Sequence, residues 1–127
     1  MPRNTFRKHE HLCGKLRIRD VVTSGSTVYT TPFKLVGKIM VLATPAPAQV
    51  GFAVPRRNLP SAVDRNRMKR LMREAYRLNK QALYESLAGR GDQIAWLFVY
   101  QGRSCISQEE TSRKITKALQ RWLKDHG

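Results

Sequence analysis

At 127 residues and 41% hydrophobic content, the chain has room for one domain, spanning residues 1–127, with a modest core. Lys and Arg outnumber Asp and Glu by 24 to 9, so the formal net charge is +15 and a polyanionic partner is expected, nucleic acid first. No apolar stretch reaches the roughly 18 residues of a membrane span, and the amino terminus lacks the apolar core of a secretory signal. We therefore expect a cytoplasmic protein that does not bind membranes.

The first predicted element is a short helix that follows a basic amino terminus. Residues 1–11 are polar and basic, and we expect them to be loosely ordered until a partner docks on them. From Leu12 to Ser24, apolar residues recur at imperfect helical spacing, which predicts the first helix. Gly25 is well placed to end that helix in the left-handed conformation.

Strands are predicted next. Residues 27–44 are rich in β-branched and aromatic residues, as is typical of strands. Pro32 cannot donate to a β ladder, so it should begin a strand or lie on an edge, and residues 33–43 then form one long strand. Residues 44–48 predict a turn, and residues 49–54 predict a strand that pairs antiparallel across this short connection. A loop follows over residues 55–61.

A central helix is predicted to begin near residues 62–64, with Ser61 or Asp64 as its cap. At about 100° per residue, its apolar side chains form one arc that faces a core. The members of that arc are Met68, Leu71, Met72, Ala75, Tyr76 and Leu78. The adjoining arc is almost purely cationic, and the helix continues to the glycines at 89 and 91.

The last two predicted elements complete an α+β sandwich. Residues 94–100 are almost all apolar, as expected of a strand buried on both faces. Ser107 and Glu110 have the spacing of a capping box, which begins a closing amphipathic helix. The order helix, strands, helix, strand, helix predicts helices packed over a sheet.

The charge of the central segment is concentrated and of one sign. Residues 56–77 contain eight basic residues opposed by Asp64 and Glu74 alone, which gives a net charge of +6. A merely solvated helix usually interleaves acidic and basic residues, so a polyanion-binding face is the better interpretation. Arginine predominates, which favours bidentate phosphate recognition, and Asn66 adds a neutral donor and acceptor.

Residues for chemistry on the protein itself are sparse. Among the nine acidic residues only Glu109 and Glu110 are adjacent, and they lie at a predicted helix start. His9, His11 and Cys13 alternate along the chain, but their spacing differs from that of zinc sites. The sequence therefore predicts neither a catalytic residue nor a metal ligand.

Two stretches of the chain carry a family resemblance. Residues 50–57 read VGFAVPRR and residues 62–77 read AVDRNRMKRLMREAYR. Together they closely resemble the signature of the bacterial ribonuclease P protein component, although the loop at residues 58–61 lacks the family's common Gly-Asn. The resemblance implies an α/β sandwich like the second domain of ribosomal protein S5, with the central helix in a left-handed βαβ crossover.

The resemblance also implies a function and a set of contacts. The family protein binds a catalytic RNA, which holds the catalytic Mg²⁺ and removes the 5′ leader from precursor tRNA. Carried over residue by residue, the RNA contacts are Arg56, Arg57, Arg65, Asn66, Arg67, Lys69, Arg70, Arg73 and Arg77. DNA is not an expected partner. The alternative function is that of a ribosomal or other general RNA-binding protein.

A second implied site is a cleft between the first helix and the sheet, where the family binds the single-stranded leader. Aromatic positions that commonly line this cleft correspond here to Ile18 and Val22. Phe33, Val36 and either Arg17 or Arg19 are candidates to share that role, and the alternative for each is a core or solvated position. Aliphatic side chains keep only part of the roughly 1–3 kcal/mol that stacking on a base contributes.

Overall fold

The described residues form a four-stranded mixed sheet with helices on both faces. The computed structural model describes residues 12, 15–42, 46–89 and 91–126, with the backbone alone for residues 15–17 and 126. The helices in these ranges are α1 (Lys15–Ser24), α2 (Ala62–Leu87) and α3 (Gln108–His126). The strands are β1 (Ser26–Thr30), β2 (Phe33–Ile39), β3 (Ala48–Ala53) and β4 (Ile94–Tyr100). The predicted α+β class and element order are confirmed, and the predicted ordering of residues 1–11 lies outside the described residues.

The strand order β1-β2-β4-β3 places β4 between β2 and β3. β4 pairs antiparallel with β2 and parallel with β3. The predicted antiparallel pairing of residues 49–54 with the preceding strand is therefore wrong. The almost wholly apolar β4 takes the central place, because a strand buried on both faces gains most from two neighbours. α2 connects the parallel pair β3 and β4 as a βαβ crossover, and its left-handedness stays a prediction.

Two predicted boundaries change because side chains and loops take the backbone donors. β2 ends at Ile39, since the next amide, of Met40, donates to the Gln93 carbonyl oxygen at 3.0 Å. The Leu42 amide then donates to Oε1 of Gln93 at 2.9 Å, so the predicted strand over residues 33–43 is too long. α1 begins at Lys15, while the Leu12 amide donates to the Val50 carbonyl at 2.9 Å. The predicted turn at residues 44–48 lies partly outside the described residues.

Gly25 ends α1, but for a reason other than the predicted one. Among the described glycines only Gly91 has a positive φ, of 77°, so Gly25 is not left-handed. A Cβ at Gly25 would lie 2.4 Å from the Val21 carbonyl oxygen and 2.8 Å from that of Gly37. The glycine is required because the end of α1 lies directly against the backbone of β2.

The larger core lies between the sheet and the pair α2 and α3. Trp96 of β4 and Trp122 of α3 meet edge to face, with ring centroids 5.7 Å apart. Both indoles lie over Gly37, where a Cβ would come within 2.5 Å of either ring. Met68, Met72, Ala75 and Tyr76 of α2 are fully buried in this core, as the apolar arc predicts.

Two residues of α2 depart from the predicted arcs. Leu78 is 52% exposed, because it lies at the outer margin of the α2–α3 contact. Lys80, which falls in the cationic arc, is 9% exposed and its ammonium lies 5.7 Å from the centre of the Tyr84 ring.

No helix in the described ranges is long and apolar enough to cross a bilayer.

The smaller core lies on the opposite face of the sheet, beneath α1. Its buried members are Leu12, Val21 of α1, Val36 of β2, Leu42, and Ala95 and Leu97 of β4. Because α1 is short, the described residues cover only part of this face.

Candidate nucleic-acid interface

The first half of α2 and the loop before it present a set of basic side chains together with Asn66. We call this set the basic surface, and its members are Arg56, Arg57, Asn66, Arg67, Lys69, Arg70 and Arg73. All are exposed except Lys69, which is half-buried. Within the described ranges no ion pair or hydrogen bond is made by the charged groups of this set. Their mutual repulsion is therefore uncompensated in the free protein, and a polyanion would relieve it.

The loop that carries Arg56 and Arg57 is fixed to the start of α2. The amides of Asn58 and Leu59 both donate to the Pro55 carbonyl, at 3.1 and 3.2 Å. Leu59 is buried, and Ser61 caps α2 by accepting the Asp64 amide at its hydroxyl. The predicted cap at Ser61 is thus confirmed. This compact loop holds the two arginines beside the positive end of the helix dipole, which also favours anions.

The side chain of Arg65, in the first turn of α2, binds back to the loop that precedes the helix. Its Nη1 donates to the carbonyl oxygens of Leu59 at 2.9 Å and Pro60 at 2.7 Å. These carbonyls have no partner in a regular element, so the guanidinium satisfies them and closes the loop over α2. The predicted RNA contact of Arg65 stays a prediction, but the structure gives this side chain a task within the protein.

Arg77, at the far end of the predicted set, is engaged with an acidic neighbour. Its Nε and Nη2 donate to the two carboxylate oxygens of Glu74, at 3.0 and 2.5 Å. The Arg77 guanidinium holds the pKa of Glu74 below its ordinary value, and Glu74 in turn raises the pKa of Arg77. Because the Nε–Nη2 edge of the guanidinium already binds a carboxylate, Arg77 offers less to a phosphate than the unpaired arginines do.

The basic surface reaches the edge of the sheet at one point. Lys69 and Arg73 line a hollow of about 200 Å³ together with Leu12 and β3 residues Val50, Gly51 and Phe52. Two cations beside an apolar wall suit a phosphate with its attached sugar or base. The hollow therefore extends the basic surface from α2 towards β3.

On the other face of the sheet, an ion pair determines how α1 is turned. The Lys38 ammonium donates to the Asp20 carboxylate at 2.8 Å and to the Ser24 hydroxyl at 3.3 Å. These bonds hold the pKa of Asp20 below its ordinary value, with the Lys38 bond the larger cause. Asp20 and Ser24 thus face the carboxyl end of β2. At about 100° per residue, Ile18 and Val22 lie on the opposite flank of α1 and face the part of the sheet that the described residues leave uncovered.

We call the part of this face that the described residues leave uncovered, with the adjoining flank of α1, the α1 groove. Tyr29, Lys34 and Val99 form a row across its floor, since Tyr29 is opposite Lys34 on neighbouring strands and Lys34 is opposite Val99. Tyr29 is 56% exposed, Val22 is 52% exposed, and Lys34 and Val99 are half-buried. An exposed aromatic ring, an ammonium and an apolar floor are suited to a single-stranded nucleic acid.

The predicted leader-binding residues do not all lie in the α1 groove. Ile18 and Val22 flank it, and Val36 forms part of its floor although it is only 2% exposed. Phe33 is fully buried on the opposite face, 5.3 Å from the Tyr100 ring, because side chains alternate along β2. Phe33 is therefore excluded from this groove, and the side chain of Arg17 lies outside the described residues.

Tyr29 is the residue that sequence reasoning missed. It lies in a segment read simply as strand, and its exposure follows from its place on the edge strand β1. The sequence STVYT held no clear signal, because the polar Thr30 is buried beside Val28 while the aromatic Tyr29 is exposed. Tyr29 supplies an aromatic ring that Ile18 and Val22 do not.

The described residues contain no group of three His, Cys, Asp or Glu side chains placed to hold a metal ion. His9, His11 and Cys13 lie outside the described residues.

Comparison with known proteins gives a family and a fold. A protein-family model described as Ribonuclease P matches residues 6–126. The "Ribonuclease P protein component" of Chlorobium phaeobacteroides is 37% identical over 126 residues, covering 91% of this chain and 86% of that protein. The protein of the same name from Chlorobaculum tepidum is 52% identical over 62 residues, covering 46% of this chain and 40% of the relative.

The fold is similar to that of a solved structure. The RNase P protein of Staphylococcus aureus superposes with a TM-score of 0.71, covering 91% of this chain and 96% of that one. The two sequences are 15% identical, so this similarity concerns the fold alone.

Proposed function

The chain belongs to the ribonuclease P protein family, and on that premise we propose that it is the protein subunit of a ribonuclease P. In this proposal the basic surface binds the catalytic RNA subunit, and the α1 groove binds the 5′ leader of precursor tRNA. The complex removes that leader and so produces the mature 5′ end of the tRNA. The proposed location is the cytoplasm, with precursor tRNA as substrate.

The observation that carries the proposal is the basic surface itself. Arg67, Arg70 and Arg73 are all exposed, and α2 has no acidic residue between Arg65 and Arg73. Successive members three residues apart lie on one side of a helix, which matches a row of phosphates better than a scattered charge would. Binding then releases the counterions held by those phosphates, so affinity should fall steeply as salt rises.

The α1 groove supports the leader-binding part of the proposal. The exposed Tyr29 ring can stack on a base, while Lys34 beside it can bind the adjoining phosphate. Ile18, Val22 and Val99 supply apolar surface on either side. Stacking tolerates any base, so this groove suits leaders of different sequence.

We propose that the chemistry of cleavage belongs to the RNA subunit, with Mg²⁺ held mainly by that RNA. The described part of the chain gathers no set of acidic side chains for the ion. The protein's own contribution is electrostatic, because its cations offset repulsion between the phosphates of the RNA subunit and those of the substrate. The protein should therefore lower the Mg²⁺ concentration that cleavage requires.

Cleavage of precursor tRNA by the RNA subunit, measured across a Mg²⁺ titration with and without this protein, tests the proposal. We expect the protein to move the midpoint of the titration to lower Mg²⁺. An unchanged midpoint would contradict it, and cleavage by the protein without RNA would reassign the chemistry. The alternative of a ribosomal protein is not favoured, because the match over residues 6–126 is to the ribonuclease P family.

A further inference from the structure

A second row of cations lies on α3 and belongs to neither the basic surface nor the α1 groove. From Arg113 to Lys124 the helix has five basic residues and no acidic one. We call them the α3 ridge: Arg113, Lys114, Lys117, Arg121 and Lys124. Within the described ranges only Arg113 has an acidic partner, Glu110 at 3.8 Å. The ridge is thus a largely uncompensated strip of positive charge.

Two members of the ridge lie along the edge strand β1. Nη1 of Arg121 donates to the Tyr29 carbonyl oxygen at 2.6 Å. The Thr30 hydroxyl donates to the Lys114 carbonyl oxygen at 3.3 Å, which fixes that turn of α3 beside the end of β1. Lys114 and Arg121 are seven residues apart, so they share one flank of the helix. Both therefore line the outer margin of the sheet.

The α1 groove ends at this same margin. β1 is the outermost strand, and the Tyr29 side chain lies on the α1 face while its carbonyl binds Arg121 from the α3 side. Lys34, Tyr29 and Arg121 thus follow one another from the floor of the groove to the helix on the other face. Arg121 uses one of its five N–H donors on Tyr29, and the rest of its guanidinium remains able to bind a phosphate.

We propose that single-stranded RNA in the α1 groove continues around the edge of β1 onto the α3 ridge. Lys114 and Arg121 bind phosphates of the leader nucleotides that lie furthest from the cleavage site. The inference rests on the proposed function, because the groove must hold a leader for the ridge to extend its path. Its consequence is that the protein discriminates leaders by length as well as holding them.

The test compares two double variants that each remove two positive charges from α3. Lys114→Gln with Arg121→Gln removes the pair beside β1, and the glutamine at 121 keeps an N–H donor for the Tyr29 carbonyl. Arg113→Gln with Lys124→Gln is the matched control, since those residues lie about 80° further round the helix. Each variant is assembled with the RNA subunit after circular dichroism confirms an unchanged melting curve.

Binding is measured for precursor tRNA with leaders of about 4 and about 14 nucleotides, which span the usual site sizes of single-strand-binding folds. For the long leader, the β1-side variant should bind about tenfold more weakly, and its log–log salt slope should fall by about 1.4, the value for two phosphate contacts. The short leader should bind equally to the β1-side variant and the unmodified protein. The control variant should match the unmodified protein with both leaders.

Two outcomes overturn the inference. Equal losses in the two double variants would mean that the ridge acts through net charge alone, and equal losses with short and long leaders would remove the path around β1. If the β1-side variant binds the long leader as tightly as the unmodified protein does, the path around β1 is also excluded. Failure of the proposed function is distinguishable, because the unmodified protein would then improve neither Mg²⁺-limited cleavage nor the binding of either substrate.

Discussion

The basic surface and the α1 groove lie on opposite faces of one sheet and are built in different ways. The basic surface comes from a single helix with its preceding loop, and all but one of its side chains are charged and all but one are exposed. The α1 groove takes residues from α1, β1, β2 and β4, and its floor is mostly apolar. One surface is suited to attracting phosphates over a distance, and the other to packing against bases at contact.

This difference in construction explains why one site could be read from the sequence and the other could not. Residues three and four apart on a helix are neighbours by geometry, so the cationic arc of α2 follows from the order of its residues. Neighbours across a sheet depend on strand order and register, which are set by packing far along the chain. Tyr29 and Val99 meet the same lysine only because β2 pairs with both β1 and β4.

The largest expected effect would come from removing three arginines of the basic surface. The variant Arg67→Ala with Arg70→Ala and Arg73→Ala should bind the RNA subunit about 100-fold more weakly at physiological salt, with a log–log salt slope smaller by about 2.7. Filter binding over a range of salt concentrations measures both quantities. The matched control changes Arg103, Arg113 and Lys124 to Ala, removing the same charge elsewhere. If the control variant loses as much affinity, net charge and not the α2 surface governs binding.

The second effect concerns the α1 groove, and it should weaken binding without changing the salt dependence. Tyr29→Ala should weaken binding of the leader by about tenfold, since base stacking contributes about 1–3 kcal/mol. Its salt slope should stay unchanged, because no phosphate contact is lost. Tyr29→Phe keeps the ring and should restore the affinity. A salt slope that falls with Tyr29→Ala would show that the α1 groove also binds the leader through phosphate contacts that depend on Tyr29.

The third effect separates Arg65 from the arginines beside it. Arg65→Ala leaves the Leu59 and Pro60 carbonyls without their charged donor, so the free energy of unfolding should fall by about 1.5–3 kcal/mol. Arg67→Ala, two residues away and exposed, should change it by less than about 0.5 kcal/mol. Urea denaturation of both variants measures the difference. Equal stabilities would mean that the loop is held closed without Arg65.

The smallest effect is a pH dependence at the anchor of α1. Folding lowers the pKa of Asp20, so its bond to Lys38 contributes in full above the unfolded-state value near 3.8 and is lost as the pH falls through the folded value. The stability difference between the unmodified protein and Asp20→Asn should be constant above about pH 5 and should disappear in acid. Lys38→Met should reproduce the same profile, which thermal melts at several pH values would show. If the stability difference between the unmodified protein and Asp20→Asn persisted in acid, the Asp20 carboxylate would be excluded as its source.

Much of the fold could be predicted from local patterns. The start of α2, the span of β4 and the cap at Ser107 follow from residues adjacent in the chain, and Ser107 accepts the Glu110 amide at 3.1 Å as expected. The pairing of the strands could not be predicted from local patterns. The short connection after β2 suggests a β2–β3 hairpin, but β4 lies between these two strands and pairs with both. Phe33 was misplaced for the same reason, since the buried face of β2 depends on what packs against it.

The central place of β4 has a consequence for how the chain folds during synthesis. β2 and β3 pair with β4 and not with each other, so the sheet stays divided until residues 94–100 have left the ribosome. Until then the apolar side of α2 has no complete platform, while its arginines are already exposed to RNA. Contacts between distant segments are slow to form, and a late central strand makes them later. A cell with surplus RNA subunit should therefore hold more of the folded protein than one in which that RNA is scarce, because RNA binding draws the last step forward.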